Sequence, residues 1–206
     1  MQWTKQLKMM ISGGLTVLSL VLALLARRPS CWAAALAMAV SSVGDGLLAG
    51  HPKCFASVRN KLTKGGIVFL AAHILYITAL VLASGQGPET LLPNFWEPFA
   101  VFAGLTALHS ILYFFPKHDR PPLAFFAAAF CYLLTAGAHG AAAFCAAAQA
   151  EGNFVLNAIG AALFFLSDAS LLARKYGAIS GECVTDFIWL TYIPAQLCLL
   201  LGFYLA

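Results

Sequence analysis

The chain has 206 residues, of which 61% are hydrophobic and 10% charged, with a formal net charge of +4 and a mean hydropathy of +0.84. Soluble domains carry about 25% charged residues, so this composition excludes a soluble enzyme and indicates a single integral membrane domain over residues 1–206. The basic residues fall between apolar runs rather than in a patch with aromatics, which argues against a nucleic-acid partner.

Seven apolar runs qualify as membrane-spanning helices, at about 9–26, 31–50, 65–84, 97–115, 122–148, 153–173 and 184–205. The first follows Lys5 and Lys8 and could imitate a signal peptide, but Arg27-Arg28-Pro29 stands where small cleavage-site residues belong, so it reads as a retained span. The second carries Asp45, and the third His73 and Tyr76. Thr106, His109 and Tyr113 on the fourth read as interhelical hydrogen-bonding residues. The fifth is long, either one tilted helix or a helix interrupted near Gly137 and Gly140. Its His139 reads as structural, and its Ala127–Ala129 and Ala141–Ala143 as close-packing surfaces. The sixth carries Asn157 and Asp168, and the seventh Tyr192, Pro194 and Gln196. No strand-like alternation accompanies these runs, so the expected fold is all-α, a polytopic transmembrane helix bundle of about seven spans. Cys31, Cys54, Cys131, Cys145, Cys183 and Cys198 have no CxxC spacing and read as apolar packing residues, not as disulfides or metal ligands.

The connectors set orientation. Lys5 and Lys8, then Lys53, Arg59, Lys61 and Lys64, then Lys117 and Arg120, then Arg174 and Lys175 all fall on one face of a seven-span protein, which places ten of the twelve basic residues there. Only Arg27 and Arg28 dissent; loop 85–96 has no Lys or Arg, and the fifth connector has only Glu151. The positive-inside rule puts the N-terminus in the cytoplasm.

In that topology the intramembrane polar groups converge. Asp45 lies eight residues before Lys53, Asp168 six before Arg174 and His73 nine after Lys64, which are depths of roughly 12, 9 and 13 Å from the cytoplasmic end at 1.5 Å per residue. Tyr192 follows Asp186 by six residues, with Gln196 one turn deeper. Faces agree: Ser41 with Asp45, His73 with Tyr76, Tyr192 with Gln196, and Asn157 with Ala161, Phe164 and Asp168. Pro194 frees a backbone carbonyl one turn earlier, which is expected to line a polar cavity. A carboxylate in a span costs several kcal/mol (roughly 2.5–3.5 on insertion scales) and marks function by default. No Lys or Arg within a span neutralises either aspartate.

These residues carry a resemblance. Ser41-Ser-Val-Gly-Asp45 resembles the small-x-Val-Gly-Asp segment of the lysoplasmalogenase, or YhhN-like, family. Phe69-Leu-Ala-Ala-His73-Ile-Leu-Tyr76 is similar to its Phe-x-x-x-His-x-x-Tyr segment, and Gly160-Ala-Ala-Leu-Phe-Phe-Leu-Ser167-Asp168 to its Gly-Ala-x-Leu-Phe-x-x-Ser-Asp segment. Thr191-Tyr192-x-x-Ala195-Gln196 resembles its Thr-Tyr-Tyr-x-Ala-Gln ending, with Ile193 in place of the second Tyr. Each motif is weak alone; the ordered set is fairly specific. The resemblance implies a multi-pass bacterial inner-membrane enzyme, with eight spans in many relatives. It also implies hydrolysis of the vinyl ether of lysoplasmalogens to a fatty aldehyde and a glycerophospho-head-group alcohol.

Such a reaction needs an acid that is protonated near neutral pH and a carboxylate beside it to stabilise an oxocarbenium ion and activate water, the logic of paired glycosidase carboxylates. Asp45 and Asp168 are the expected pair, with His73 and Tyr76 positioning water or a carboxylate. Tyr192 and Gln196 are expected on the ether or glycerol oxygen, Asn157 and Ser167 in the substrate-binding stripe, and Lys61 and Lys64 at the phosphate. Neither a metal nor another cofactor is required. The expected partners are the lysophospholipid substrate and membrane lipids. The alternatives are a proton-coupled carrier, against which no inverted repeat is visible, and a non-enzymatic lipid-binding protein. The topology has a direct test: cysteines introduced in loop 85–96 should be labelled from outside intact cells, and those in 51–64 should not; the reverse would overturn it.

Overall fold

A segment that crosses lipid must satisfy its backbone groups internally, and the described residues accordingly form helices joined by short connectors. The computed structural model describes residues 5–50, 55, 60–85, 88–114, 123–149, 154–175 and 179–206. Lys53, Cys54, Arg59, Lys117, Arg120, Glu151 and the side chain of Tyr113 lie outside this set. The elements are α1 (Lys5–Ala26), α2 (Pro29–Ala49), α3 (Lys61–Ser84), α4 (Pro88–Phe114), α5 (Leu123–Gln149), α6 (Phe154–Lys175) and α7 (Glu182–Leu205). All seven are long and apolar enough to cross a membrane. Large apolar side chains such as Leu24, Ile67, Val101, Ile111 and Leu190 face outward, while Asp45, His73, His139, Asp168 and Gln196 are buried. That inverts the pattern of a water-soluble protein and fits a lipid surround.

Six helices close a ring. α1 packs on α2, α2 on α3, α3 on α5, α5 on α6, and α6 on α7, which returns to α1, α2 and α3. α4 lies outside the ring, against α5 and, to a lesser extent, α6.

One helix differs from the sequence reading, and a second settles an alternative left open there. α4 begins at Pro88, earlier than the expected start near 97, and continues through Pro93 and Pro98. Proline removes one ladder bond, which ends most soluble helices but is tolerated where neighbouring helices cover the freed group. α5 is continuous through Gly137 and Gly140. Those glycines make room for a side chain: a Cβ at Gly140 would stand 2.5 Å from the Phe102 ring of α4.

Only Arg27 and Arg28 separate α1 from α2. Arg27 takes a left-handed φ of 54°, and Arg28 is extended, as expected before Pro29, which opens α2. Arg28 Nη2 donates to the carbonyls of Phe203, at 3.0 Å, and Tyr204. The last carbonyls of a helix have no partner within it and sit at the negative end of its dipole. Arg28, one of the two basic residues on the face with no other Lys or Arg, therefore has a structural role in closing α7.

α6 and α7 approach closely because Gly160 faces the Ala195 carbonyl, where a Cβ would stand 2.8 Å away. Asn157 Nδ2 donates to Leu199 O (3.2 Å) and Ser167 Oγ to Ile188 O (3.1 Å), tying the pair at two levels. Gly160→Val should therefore lower the thermal midpoint in detergent, since overpacking costs about 1–3 kcal/mol. Gly104→Ala, whose Cβ meets nothing within 4 Å, should leave it unchanged or raise it. Equal midpoints for Gly160→Val and the parent would refute the close approach.

Candidate active site

The starts of α1, α3 and α7 and the ends of α2 and α6 meet at one end of the ring, around a cavity of about 330 Å³. Its lining includes Asp45, Asp168 and Tyr192, together with the four cations Lys5, Lys8, Lys61 and Arg174. Four basic side chains from three helices, α1, α3 and α6, thus gather at the end toward which both carboxylates lie. Lys8 Nζ also stands 5.2 Å over the Trp189 ring, a cation–π geometry that fixes one cation at the α1–α7 seam.

Each carboxylate is held by donors from two other helices. Asp45 Oδ2 accepts from Ser12 Oγ of α1 (2.6 Å) and Tyr192 OH of α7 (2.8 Å). Asp168 Oδ2 accepts from Tyr132 OH of α5 (2.6 Å) and lies 3.2 Å from His73 Nε2 of α3. The chain continues inward, with His73 Nδ1 3.2 Å from His139 Nδ1. Two N–H groups cannot face each other, so one of these imidazoles donates and the other accepts, and the tautomer of one fixes that of the other. Ser12 is itself held by the Ser42 hydroxyl at 2.8 Å, and Ser42 by Thr16 at 2.6 Å, a polar seam between α1 and α2.

Aromatic rings hold the two sets at fixed positions. Phe164 lies 4.6 Å from the His73 ring and edge-on to Tyr192 at 5.5 Å. Phe69 packs edge-on to both Phe164 and Tyr192. Deeper, Tyr76 OH donates to Gln196 Oε1 (2.6 Å), and its ring stacks between His139 and Phe203.

The residues singled out from the sequence divide accordingly. Asp45, Asp168, Tyr192, Ser167 and Lys61 line the cavity. His73, Tyr76 and Gln196 are buried behind it, His73 bonded to Asp168 and His139 and Tyr76 to Gln196. Gln196 holds Tyr76, and Ser167 Oγ is engaged by the Ile188 carbonyl. Asn157 sits eleven residues from Asp168 along α6, roughly 16 Å at 1.5 Å per residue, and bonds to α7 instead. Lys64 is exposed, outside the cavity lining. Pro194 faces outward, and Leu190, whose carbonyl it frees, is exposed on the same side and is not among the lining residues described.

Three members were not singled out. Ser12 is one of several small polar residues on α1. Tyr132 was passed over, and His139 was read as structural although it touches His73. One signal was present: Tyr132 and His139 are seven residues apart, two turns on one face of α5. His109 does behave as an interhelical residue, with Nε2 2.8 Å from the Ala169 carbonyl of α6. Among the described residues, no group of three or more His, Cys, Asp or Glu side chains is placed to hold a metal ion.

The four motifs that carried the resemblance thus supply both carboxylates and the tyrosine that line one cavity, and the histidine that meets Asp168 from behind it. A model of the YhhN family matches residues 6–203, nearly the whole chain. The chain belongs to the YhhN family. No curated protein and no solved structure matches it. In this YhhN-family protein, Ser12 lies at the start of the matched region and joins the site through α1.

The shared acceptor at Asp45 gives a test of the geometry. Ser12→Ala and Tyr192→Phe should be non-additive in a thermal-stability cycle, by more than about 0.5 kcal/mol, because both donate to one oxygen. Ser12→Ala with Asn157→Ala, which share no partner, should add. Additivity of the first pair would mean the two hydroxyls do not meet at Asp45.

Proposed function

We propose that this cavity hydrolyses the vinyl ether bond of lysoplasmalogens, releasing a fatty aldehyde and glycerophospho-ethanolamine or -choline. The observation that carries the reading is the pair of buried carboxyl groups, each fixed by hydroxyl donors, lining a cavity shared with four cations.

The chemistry follows from the bond. Protonation of the outer alkene carbon generates an oxocarbenium ion at the carbon bonded to the ether oxygen. Water adds there and loses a proton to a base, and the resulting hemiacetal collapses. The carbon–oxygen bond to glycerol breaks, the glycerol oxygen takes a proton, and the aldehyde keeps the water oxygen. One carboxyl of the Asp45/Asp168 pair supplies the first proton, and the other, as carboxylate, stabilises the cation and receives a proton from water. Tyr132 and Tyr192 hold the carboxyls in place, and His73 orients Asp168 from behind. The cations Lys5, Lys8, Lys61 and Arg174 attract the phosphate. By the positive-inside rule this end faces the cytoplasm of a bacterial inner membrane.

A buried Asp–His–His series also suits a proton-coupled carrier. Here the series stops: His139 Nε2 has no hydrogen-bond partner among the described residues. A site reached from one end favours a hydrolase over a transmembrane relay.

Purified protein incubated with a panel of lysolipids should release aldehyde, detected by mass spectrometry, from vinyl ether substrates. Asp45→Asn and Asp168→Asn should each lose at least about 10²–10⁴-fold in turnover, the usual contribution of a general acid or base, while remaining folded. In heavy water the aldehyde, trapped quickly by reduction, should carry one deuterium beside the carbonyl carbon. In oxygen-labelled water the label should enter the aldehyde and not the glycerol product. Near-parental turnover in either variant, or label in the glycerol product, would overturn the scheme.

A further inference from the structure

A second concavity, of about 270 Å³, lies between α3 and α5 and is almost wholly apolar. It shares Leu48, Phe69 and Leu171 with the polar cavity. Its lining also includes Tyr132, whose hydroxyl donates to Asp168. On its outer margin Thr63, Ile67, Ala128 and Cys131 are exposed, so it opens on the outer surface of the bundle.

We propose that this groove holds the single hydrocarbon chain of the lysolipid, admitted sideways from the bilayer between α3 and α5. The inference rests on the reading of the polar cavity as a lysolipid site. A chain drawn through water would pay in proportion to its length; one sliding from lipid into an apolar groove exchanges like for like. The groove therefore selects by shape, while the cations and carboxyls hold the head. Tyr132 marks the junction, with its ring among the apolar lining and its hydroxyl on the carboxylate.

A larger concavity of about 610 Å³ runs between α4 and α6, lined by Phe102, Leu105 and Phe165. Size alone would make it the better chain site, but it shares no described lining residue with the polar cavity. A chain there would leave its first carbons away from Asp45 and Asp168. One groove joined to the site matches the one chain of a lysolipid.

The test uses the purified full-length chain in detergent micelles and a non-hydrolysable saturated 1-hexadecyl lysophosphatidylethanolamine with a diazirine at the chain end. Adducts should map to residues 62–70 of α3 and 128–132 of α5. Adducts in the α4–α6 groove, or spread over the outer surface, would overturn the proposal. Gly66 lines the groove, and a Cβ there meets nothing within 4 Å, so Gly66→Leu has room to enter and narrows the groove. It should abolish those adducts and lower the ratio of kcat/KM for hexadecenyl over octenyl substrate about tenfold, the scale of a steric clash. Leu105→Trp, in the other groove, should leave that ratio at the parental value. An unchanged ratio in Gly66→Leu, or a fall in Leu105→Trp instead, would also overturn it. Adducts in the α3–α5 groove with no aldehyde from any chain length would uphold the groove and remove the ether-hydrolase reading.

Discussion

Two carboxyl groups inside an apolar bundle must be hydrogen-bonded by the protein itself, and the architecture follows from how this is done. Asp45 on α2 is held from α1 and α7, and Asp168 on α6 from α3 and α5. These are the six helices of the closed ring. α4, from which no side chain reaches either carboxylate among the described contacts, is the helix left outside. Leaving a buried polar group unpaired costs about 1–3 kcal/mol, and more for a charged one. The donor set therefore ties helix arrangement to site geometry: a ring that shifted would strand a carboxyl.

The same economy appears at the far end. Arg28 stands against the charge bias of the connectors, and its guanidinium closes the last carbonyls of α7. A charge rule averages over residues that are free to sit on either side. It has no means of recognising one whose side chain is committed to a helix terminus. The dissenting pair thus weakens the orientation argument less than its count suggests, because at least one member has a local reason to be where it is.

Depth was legible in the sequence, and direction was not. Apolar run length located all seven helices, because lipid thickness and backbone satisfaction leave few alternatives. Asp45, Asp168, His73 and Tyr192 stood out because ionisable and polar groups are rare inside spans. Ser12 and Tyr132 did not, since a serine or tyrosine within a span is ordinary and only its rotation about the helix axis brings it to a carboxylate. Asn157 shares a stripe with Asp168 yet serves the α6–α7 seam, because a stripe fixes azimuth and leaves height open. Lys64 lay in the right connector but faces away from the cavity, while Lys61, one turn earlier, lines it. Whether Gly137 and Gly140 interrupt their helix stayed open because the sequence does not show the Phe102 ring that occupies the space they leave.

The layout of the site also matches the order of parts in the proposed substrate. A one-chain ether lipid presents a phosphate, then a glycerol, then the ether bond, then hydrocarbon, so its reactive bond lies where polar matter meets apolar. The protein repeats that order from the end of the bundle inward and sideways: cations, carboxyls, then an apolar groove between α3 and α5. Phe69 and Leu171 belong to both concavities, and Tyr132 spans the boundary with its ring on one side and its hydroxyl on the other. An acid that must reach an alkene carbon has to sit at such a boundary, dry enough for a carboxyl to keep its proton yet open to one water molecule. A purely polar cavity would solvate the acid, and a purely apolar one would exclude the water. On the proposed reading such a boundary lies beside Asp168, where the Tyr132 ring lines the apolar groove and its hydroxyl meets the carboxylate.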